Sequence, residues 1–520
     1  MQQSKGRGEI DTDLLHQFEQ EIGTKVPHLE SAGTETRVVN PTPLIDITDV
    51  MMDCAKSVHG LDVPPEGVRI YGKMDSKITG GSVKVRPAVQ IIAEAIASGK
   101  LRRGQTVFEA TSGNFGVALG MVTKLGINVI ALVSRKLQEG VLDELRGSGV
   151  KTVDLDVDIC PAPGMQIDQN LALAKSVAVS VRQQLSEIGL DTATFDESKG
   201  EIERLLARQD VINLAKFLAQ IYDGFCPQQY DNELNIRAHE VLTGPEIDQQ
   251  LRTEGYSLGE FGLICAFGTG GTSGGLSKYV QKTYGKKHVR VIFPLGNQDV
   301  AGIRTKEKAA GLRLYDPEKY AGEHEVDFEA SKPLLGYFVK KGYDLGESSA
   351  LALYACIQLI NYGAGKKFVV IIADGISKYA KNFETKPEAP KRLEVNAQEA
   401  AEFGEYKGLI WTHGMFTPNE EGARLIASAV GYPVDKMKVA RTRDVQRLVS
   451  TQEIPDALKS LLPKDGGRVL LVCMAGQTSL RIAQIFAEKG IAAESLKGGI
   501  INVATASRKQ PSDLVRMAAE

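Results

Sequence analysis

The chain has 520 residues, 42% of them hydrophobic and 24% charged, and its 62 basic and 65 acidic residues leave a net charge of −3. This composition is typical of a globular protein of two to four domains, and the charge balance excludes the basic surface expected of a protein that binds nucleic acid or an anionic membrane. A polar N-terminus, six scattered cysteines and the lack of metal-binding motifs predict a cytoplasmic protein without a metal site.

Strand-like and helical segments alternate along most of the chain. A short turn of small residues, Gly80–Pro87, carries Lys84, and the strand-like run at 106–111 leads into a helical segment. Alternating strands and helices predict an α/β fold with a parallel sheet. Further apolar runs of strand length follow at 127–134, 261–267, 288–295 and 366–373.

The same pattern predicts two domains. Helical segments predominate over about 161–221, and we interpret them as an α-helical insertion. Prolines and charges over Glu384–Arg392 predict a boundary, which gives a first region at 1–390 with the insertion and a second α/β region at 391–520.

Three turns rich in glycine and hydroxyl residues interrupt the first region, at Glu109–Gly116, Phe267–Gly275 and Leu345–Ala355. Glycines let the backbone approach a ligand closely, so N–H groups and hydroxyls of the second turn can converge on one phosphate. A simpler interpretation of such turns is a strand-to-helix connection in which a serine such as Ser112 caps the helix. Lys84 also has two interpretations, a solvated lysine at a helix start or a reactive amine beside a ligand.

A lysine together with a phosphate-binding turn suggests pyridoxal 5′-phosphate, whose aldehyde forms a Schiff base with a lysine amine. Seven segments between about residues 37 and 384 resemble, in order, the cysteine synthase and cystathionine β-synthase branch of the fold-type II pyridoxal-phosphate enzymes. The resemblance implies two open, mostly parallel sheets with flanking helices, and a homodimer. The segments are NPTPLI, GGSVKVRPA, EATSGNFG, PQQYDNELNIRAHEVLTGPEI, GTGGT, GESSA and ADGISKY.

The resemblance also implies roles for single residues. Lys84 is similar to the Schiff-base lysine that later takes the α-proton of the substrate, and Ser348 to the serine opposite the pyridine nitrogen. Asn114 would bond both the substrate carboxylate and the 3′-oxygen of the cofactor. The substrate-binding residues would be Thr111, Ser112, Gly113, Asn114 and Gln229, and the phosphate-binding cup would be Gly268, Thr269, Gly270, Gly271 and Thr272.

The implied reaction is β-replacement or β-elimination on a cysteine-, O-acetylserine- or serine-like amino acid through an aminoacrylate. One alternative is a cysteine desulfhydrase or C–S lyase that releases pyruvate, ammonia and sulfide, and another is a non-catalytic binding or regulatory protein. Three departures from the family pattern leave the substrate open. Val85 stands where the family has aspartate, Ala350 where it has glycine, and Phe115 where it has a small hydroxyl residue.

A separate motif lies in the second region, where a strand-like run ends at Cys473 and a helical segment follows. The loop from Cys473 and the later stretch Glu494–Ile500 resemble rhodanese-like sulfurtransferase domains, although Thr478 replaces the usual arginine. The resemblance implies that Cys473 carries a persulfide. A separate hypothesis is that it receives sulfur from the first site and passes it to an acceptor. The alternative interpretation is a buried cysteine with a structural role only.

Overall fold

A computed structural model of the chain describes residues 10–32, 35–61, 66–111, 113–133, 139–155, 171–296, 298–379, 393–403, 406–412, 416–463 and 467–517. The chain divides into two compact units, Met1–Phe383 and Glu384–Glu520. The predicted boundary at residue 390 lies outside the described residues and stays a prediction.

Strands of both units are short and mostly buried. In chain order they are β1 His28–Ala32, β2 Glu35–Val39, β3 Leu44–Asp46, β4 Arg69–Met74, β5 Thr106–Ala110, β6 Asn128–Val133, β7 Lys151–Asp154, β8 Gly262–Ala266, β9 Val289–Pro294, β10 Gly322–Val326, β11 Lys367–Ile372, β12 Glu394–Val395, β13 Gly408–Trp411, β14 Phe416–Pro418, β15 Lys438–Val439, β16 Val469–Val472, β17 Ala493–Leu496 and β18 Val515–Met517.

Helices surround these strands. They are α1 Thr12–Glu21, α2 Thr48–Ser57, α3 Val85–Ala97, α4 Asn114–Leu119, α5 Glu139–Gly147, α6 Leu171–Glu187, α7 Thr192–Glu197, α8 Lys199–Ala207, α9 Val211–Ile221, α10 Glu233–Ala238, α11 Gly244–Thr253, α12 Gly271–Tyr284, α13 Lys306–Ala309, α14 Phe328–Lys340, α15 Glu347–Asn361, α16 Ala397–Phe403, α17 Glu420–Ala429, α18 Thr442–Thr451, α19 Asp456–Lys459, α20 Gln477–Glu488 and α21 Gly499–Ala506.

The first unit contains two open, mostly parallel sheets. One has six strands in the order β10-β9-β8-β11-β4-β3, with only β3 antiparallel, and the other has three parallel strands in the order β5-β6-β7. A further antiparallel pair, β1 and β2, lies near the N-terminus. This arrangement confirms the predicted α/β class and the two sheets that the resemblance implies.

The central strands read as apolar runs because both faces of their sheets are covered. In β11 the five residues from Phe368 to Ile372 are all buried, and every residue of β5 is buried. Their carboxyl ends lead into the glycine-rich and polar segments noted above. In open α/β sheets, ligands bind at such carboxyl ends.

Helices α6 to α9 occupy residues 171–221, where the sequence predicts the helical insertion. Asp191 and Asp210 cap α7 and α9 by accepting backbone N–H bonds in the first turn. Buried residues of this region, among them Phe195 and Leu214, belong to the same hydrophobic core as the three-stranded sheet. Residues 161–170 lie outside the described residues.

The second unit has its own parallel sheet of five strands in the order β12-β17-β16-β13-β15, and β14 pairs with β18. Its core includes Ile410, Leu471, Ile482 and Phe486, which bring together β13, β16 and α20. Each unit therefore buries a core of its own.

Two further features, a membrane-spanning helix and a metal-binding cluster, are absent from the part of the chain that the structure describes. No helix there is long and apolar enough to cross a membrane. No group of three or more histidine, cysteine, aspartate or glutamate side chains there is placed to hold a metal ion.

Candidate active site

A cavity at the carboxyl ends of β5, β8 and β11 brings together residues that are far apart in the sequence. Its space, including the open mouth, is about 810 Å³. Most of the predicted site residues line it. They are Lys84, Asn114, Gln229, Gly268, Thr269, Gly270, Gly271, Thr272 and Ser348.

Lys84 is the residue immediately before α3. Its side chain lines this cavity and is only partly exposed. The preceding turn is attached to the sheet, since Val83 N donates to Ala373 O at 2.7 Å just after β11. Burial lowers the pKa of the Lys84 amine, while the nearby carboxylate of Asp374 acts in the opposite direction. A larger neutral fraction of this amine makes it a better nucleophile and base.

The predicted phosphate-binding cup follows β8 and forms the first turn of α12. Gly270 has φ 91°, a left-handed conformation, and a Cβ there would lie 2.7 Å from Leu314 O. A Cβ on Gly268 would lie 2.8 Å from Gly302 O and 3.5 Å from Lys84 Nζ. The glycines therefore keep this turn narrow, and it presents N–H groups and threonine hydroxyls close to the lysine amine.

The Thr111 side chain holds the loop after β5 through hydrogen bonds to its backbone. Its buried hydroxyl accepts hydrogen bonds from Gly113 N at 3.0 Å and Gly116 N at 3.2 Å. The residue that caps α4 is Gly113, with φ 127° and no side-chain cap. Ser112, predicted as a substrate ligand and alternatively as the cap, lies outside the described residues.

Two amide side chains of the site have defined partners. Asn114 Nδ2 donates to Asp374 Oδ2 at 2.7 Å. Gln229 Nε2 donates to Ala110 O at 3.3 Å, which holds this buried glutamine against the end of β5. Asp374 was not predicted as a site residue, although a polar residue directly after the apolar run of β11 is a signal that was present.

A buried group of four charged side chains lies next to the start of α3, close to Lys84 in the sequence. The sequence pattern did not predict this group. Arg86 Nη2 bonds Asp75 Oδ1 at 2.7 Å, and Arg86 Nη1 bonds Glu246 Oε2 at 2.6 Å. Lys73 Nζ bonds Glu246 Oε1 at 2.6 Å. All four side chains are fully buried. The two positive and two negative charges balance, and they fix the first turn of α3 two residues beyond Lys84.

The three departures from the family pattern have different surroundings. Val85 and Ala350 are fully buried parts of the hydrophobic core. Phe115, by contrast, lines the cavity together with Val141 and gives it an apolar wall. Phe115 is therefore the departure that contacts the space for a substrate.

The second unit places Cys473 directly after β16. The thiol is buried, and its Sγ accepts hydrogen bonds from Ser479 N at 3.5 Å and Ser479 Oγ at 3.3 Å. The loop between them turns at Gly476, which precedes α20.

The residues present fit pyridoxal phosphate. A lysine whose pKa is lowered by burial lies beside a glycine turn too narrow for side chains, and Ser348 and Asn114 line the same space. The fold and the site are thus those of an enzyme that holds this cofactor through a lysine. Residues 37–375 match the family of pyridoxal-phosphate dependent enzymes, and the chain belongs to this family. The predicted cofactor and the prediction of an enzyme are confirmed.

Several relatives are similar over about two-thirds of the chain. A cysteine synthase of Staphylococcus aureus (strain Mu50 / ATCC 700699) is 26% identical over 357 residues, 66% of this chain and 94% of the relative. An O-acetylserine dependent cystathionine beta-synthase of Bacillus subtilis (strain 168) is 24% identical over 347 residues, 65% of this chain and 96% of the relative. The chain is thus related to cysteine synthases over about two-thirds of its length.

Solved structures with similarity to the chain include two enzymes. O-ureido-L-serine synthase has a TM-score of 0.46 at 22% identity, with 67% of this chain and 98% of that chain covered. A hydrogen sulfide-producing enzyme of Fusobacterium nucleatum has a TM-score of 0.46 at 19% identity, with 65% and 96% covered.

Proposed function

We propose that the enzyme carries out β-replacement on a small amino acid that bears a leaving group on its β-carbon, as a cysteine synthase does. The observation that supports this most is the convergence of Lys84, Asn114, Gln229 and Ser348 with the phosphate-binding cup in one cavity. The substrate class is a cysteine-, O-acetylserine- or serine-like amino acid, in line with the names of the related cysteine synthase and O-acetylserine dependent cystathionine beta-synthase.

Lys84 has two tasks in this proposal. Pyridoxal phosphate, when bound, supplies an electron sink for the bonds broken at the α- and β-carbons. The Lys84 amine would hold the cofactor covalently, and its Nζ, once free, would take the proton from the substrate α-carbon. Because burial lowers the pKa of this amine, more of it is unprotonated and able to perform both tasks.

In this proposal, two neutral amide side chains orient the substrate. Asn114 and Gln229 line the cavity from the β5 side and would bind the substrate carboxylate there. Ser348 lies in the first turn of α15 and is nearly fully buried. The family resemblance places this hydroxyl opposite the pyridine nitrogen, where it would leave that nitrogen largely unprotonated. The electron sink would then be moderate, which suits chemistry at the β-carbon.

A substrate screen tests the proposal. Purified holoenzyme is incubated with O-acetylserine, O-phosphoserine, serine or cysteine, with and without sulfide or a thiol, and new amino acids, pyruvate and sulfide are all measured. We expect new amino acids to form only when a nucleophile is added. Pyruvate formed at the same rate with and without a nucleophile would instead identify a lyase.

A matched variant separates true turnover from background reactions. Lys84→Ala should lose the absorption band of the lysine-bound cofactor and lower kcat by at least about 10³-fold, since both the attachment and the base are lost. The exposed Lys124, which does not line the cavity, gives the control Lys124→Ala. Turnover by Lys84→Ala at the unaltered rate would contradict the assigned role.

For the second unit, we propose a rhodanese-like sulfur carrier with Cys473 as its nucleophile. The support is a five-stranded parallel sheet with the cysteine at the carboxyl end of its central strand, and two hydrogen-bond donors on the sulfur. Sulfide released by elimination is fully reduced and would need an oxidant to load a thiol. The donor must therefore carry sulfur at a higher oxidation level, such as a persulfide or thiosulfate.

Thiosulfate and cyanide provide the test, because sulfur transfer then yields sulfite and thiocyanate without an oxidant. We expect thiocyanate formation by the full-length protein and its loss in Cys473→Ser. Cys54→Ala removes another buried thiol, in the first unit, and should leave the transfer unchanged. Equal rates for the protein and Cys473→Ser would leave Cys473 with a structural role only.

A further inference from the structure

The phosphate-binding cup rests against a second segment, formed by α10 and the π-turn His239–Thr243 that follows it. The glycines of α12 that face this segment leave no room for side chains. A Cβ on Gly274 would lie 3.2 Å from Ile236 Cδ1, and one on Gly275 only 2.5 Å from His239 Cβ. These glycines therefore serve close helix packing, in addition to the backbone approach to a phosphate that the sequence suggests.

The close packing brings Asn235 to the first threonine of the cup. Asn235 Nδ2 donates to Thr269 Oγ1 at 3.0 Å and also to Gln229 O at 2.8 Å. Thr269 Oγ1 further accepts from Gly271 N at 3.4 Å. A hydroxyl oxygen has two acceptor sites and one proton to donate, so both acceptor sites of Thr269 are used by the protein. Its proton remains for a ligand.

His239 stands four residues after Asn235 and reaches the second threonine. Its Nε2 lies 3.2 Å from Thr272 Oγ1, and its Nδ1 lies 2.9 Å from Thr243 Oγ1. Burial lowers the pKa of this fully enclosed imidazole to about 3, so the ring is neutral and has one donor and one acceptor nitrogen. The state of Thr272 decides which nitrogen carries the proton.

We propose that Asn235 and His239 are positioning residues that hold Thr269 and Thr272 as hydrogen-bond donors toward the cofactor phosphate. A phosphate dianion only accepts hydrogen bonds, so the Thr272 hydroxyl must donate a hydrogen bond to it. Thr272 Oγ1 then accepts from Nε2–H of His239, and Nδ1 accepts from the Thr243 hydroxyl. The cup thus recognises a dianion with neutral groups. Lys84 is the one cationic side chain among the described residues lining the cavity.

The inference depends on the cofactor of the family and not on the proposed reaction, so it is tested without substrate. Apoprotein is titrated with pyridoxal phosphate and with pyridoxal, which lacks the phosphate. For His239→Phe we expect the affinity for pyridoxal phosphate to fall by about tenfold or more, because one hydrogen-bond chain to a charged group is lost. The affinity for pyridoxal should stay within about twofold of the wild type. His239→Gln keeps a side-chain donor and should recover part of the loss.

His324→Phe is the control, because His324 is a partly buried histidine elsewhere in the first unit that does not line the cavity. It should change the affinity for neither ligand. Equal weakening of both ligands by His239→Phe, or no weakening of either, would overturn the proposal. The first result would mean a general packing role, and the second would mean that Thr272 does not depend on His239.

A measurement on the unaltered protein covers the case in which His239→Phe does not fold. Nitrogen NMR of protein labelled at its seven histidines distinguishes the two neutral tautomers of each ring. We expect one histidine to remain neutral on acidification and to carry its proton on Nε2 when pyridoxal phosphate is bound, with the resonance absent in His239→Gln. A His239 ring that is protonated on Nδ1 with the cofactor bound would overturn the proposal.

Discussion

Lys84 shows how two interpretations of one residue can both describe part of its environment. It does stand at the start of a helix, where many lysines are solvated. Its side chain nevertheless lines the cavity, and the residue is only partly exposed. Small residues before it allow this, since a Cβ on Gly80 would lie 2.7 Å from Val85 Cγ2. The local sequence therefore makes room for the lysine, and burial lowers the pKa of its amine.

Glu109 is a second residue whose state depends on burial. It lies in β5, its Oε2 accepts from Gln228 N at 2.8 Å, and its carboxyl is buried. Burial raises its pKa to about 8, although hydrogen bonds from Gln228 and Gln229 act in the opposite direction. Gln228 has φ 58°, a strained conformation next to Gln229, which is predicted to bind the substrate. Glu109 therefore helps to hold the turn that presents Gln229.

Replacing Glu109 by glutamine should change how stability depends on pH. Because the folded-state pKa is raised, the unfolded chain ionises first, and the contribution of Glu109 is fully present below its unfolded pKa and lost as the pH rises toward 8. We expect the free energy of unfolding of the wild type, relative to Glu109→Gln, to fall by at least about 1 kcal/mol between pH 5 and pH 8. Urea unfolding at both pH values measures this.

The exposed Glu94 provides the comparison for that experiment. Glu94→Gln should show a difference from the wild type that is the same at both pH values. A constant difference for Glu109→Gln as well would mean that Glu109 is ionised in the folded protein throughout this range.

At the scale of elements, the contact between α12 and the segment α10 with its π-turn depends on the absence of side chains. A Cβ on Gly275 would meet the Ile236 carbonyl oxygen as well as His239. Backbone atoms cannot move away as the end of a flexible side chain can. The glycine pattern of α12 is thus a packing requirement between two helices.

Gly275→Ala should separate these elements. We expect a loss of about 1–3 kcal/mol in the free energy of unfolding, as for overpacked cores, together with weaker binding of pyridoxal phosphate. Gly336→Ala is the matched control, because Gly336 is inside α14 with nothing within 4 Å of an added Cβ. That change should stabilise the protein by about 0.5–1 kcal/mol. Denaturant unfolding of the two variants measures both effects, and equal stability would contradict the packing argument.

The four buried charges link elements that the chain order separates. Lys73 and Asp75 come from β4 and the turn after it, Arg86 from α3, and Glu246 from α11. Burial opposes ionisation of Asp75, but the adjacent Arg86 guanidinium more than offsets this and lowers its pKa. Removal of one member leaves the opposite charges buried without their partner.

Arg86→Met should therefore lower the free energy of unfolding by about 3–5 kcal/mol. Arg37→Met removes an exposed arginine that bonds Glu30 at 3.2 Å and should cost less than about 1 kcal/mol. Urea denaturation of both variants checks this difference. A similar small loss in both would show that the buried group adds little to stability.

At the scale of the molecule, the two compact units have separate cores and carry separate probes. The absorbance of the bound cofactor would report on the unfolding of the first unit. The chain has a single tryptophan, Trp411, which is fully buried in β13 of the second unit. Units with separate cores commonly unfold in separate transitions.

Two-probe unfolding tests this independence. In Arg86→Met the urea midpoint followed by cofactor absorbance should fall, whereas the midpoint followed by Trp411 fluorescence should stay within experimental error. Gly336→Ala should raise the first midpoint and again leave the second unchanged. If both probes shift together in both variants, the units unfold as one.

The sequence by itself determined the features that depend on neighbouring residues. The α/β class follows from apolar runs alternating with helical patterns. The cofactor and the place of Lys84 follow from motifs that are each continuous in the chain, and most of the predicted ligands do line one cavity. Ser112 lies outside the described residues, and the persulfide role of Cys473 stays a prediction.

The tertiary structure alone decided which distant residues meet. Asp374 joins Asn114 across 260 positions, and Arg86 joins Glu246 across 160. Neither pairing has a local signal, because it depends on which strands are adjacent and how helices pack on them. The purpose of Gly275, the neutrality of His239 and the raised pKa of Glu109 follow from the same cause. Each is set by burial against atoms that the chain brings together only when it folds.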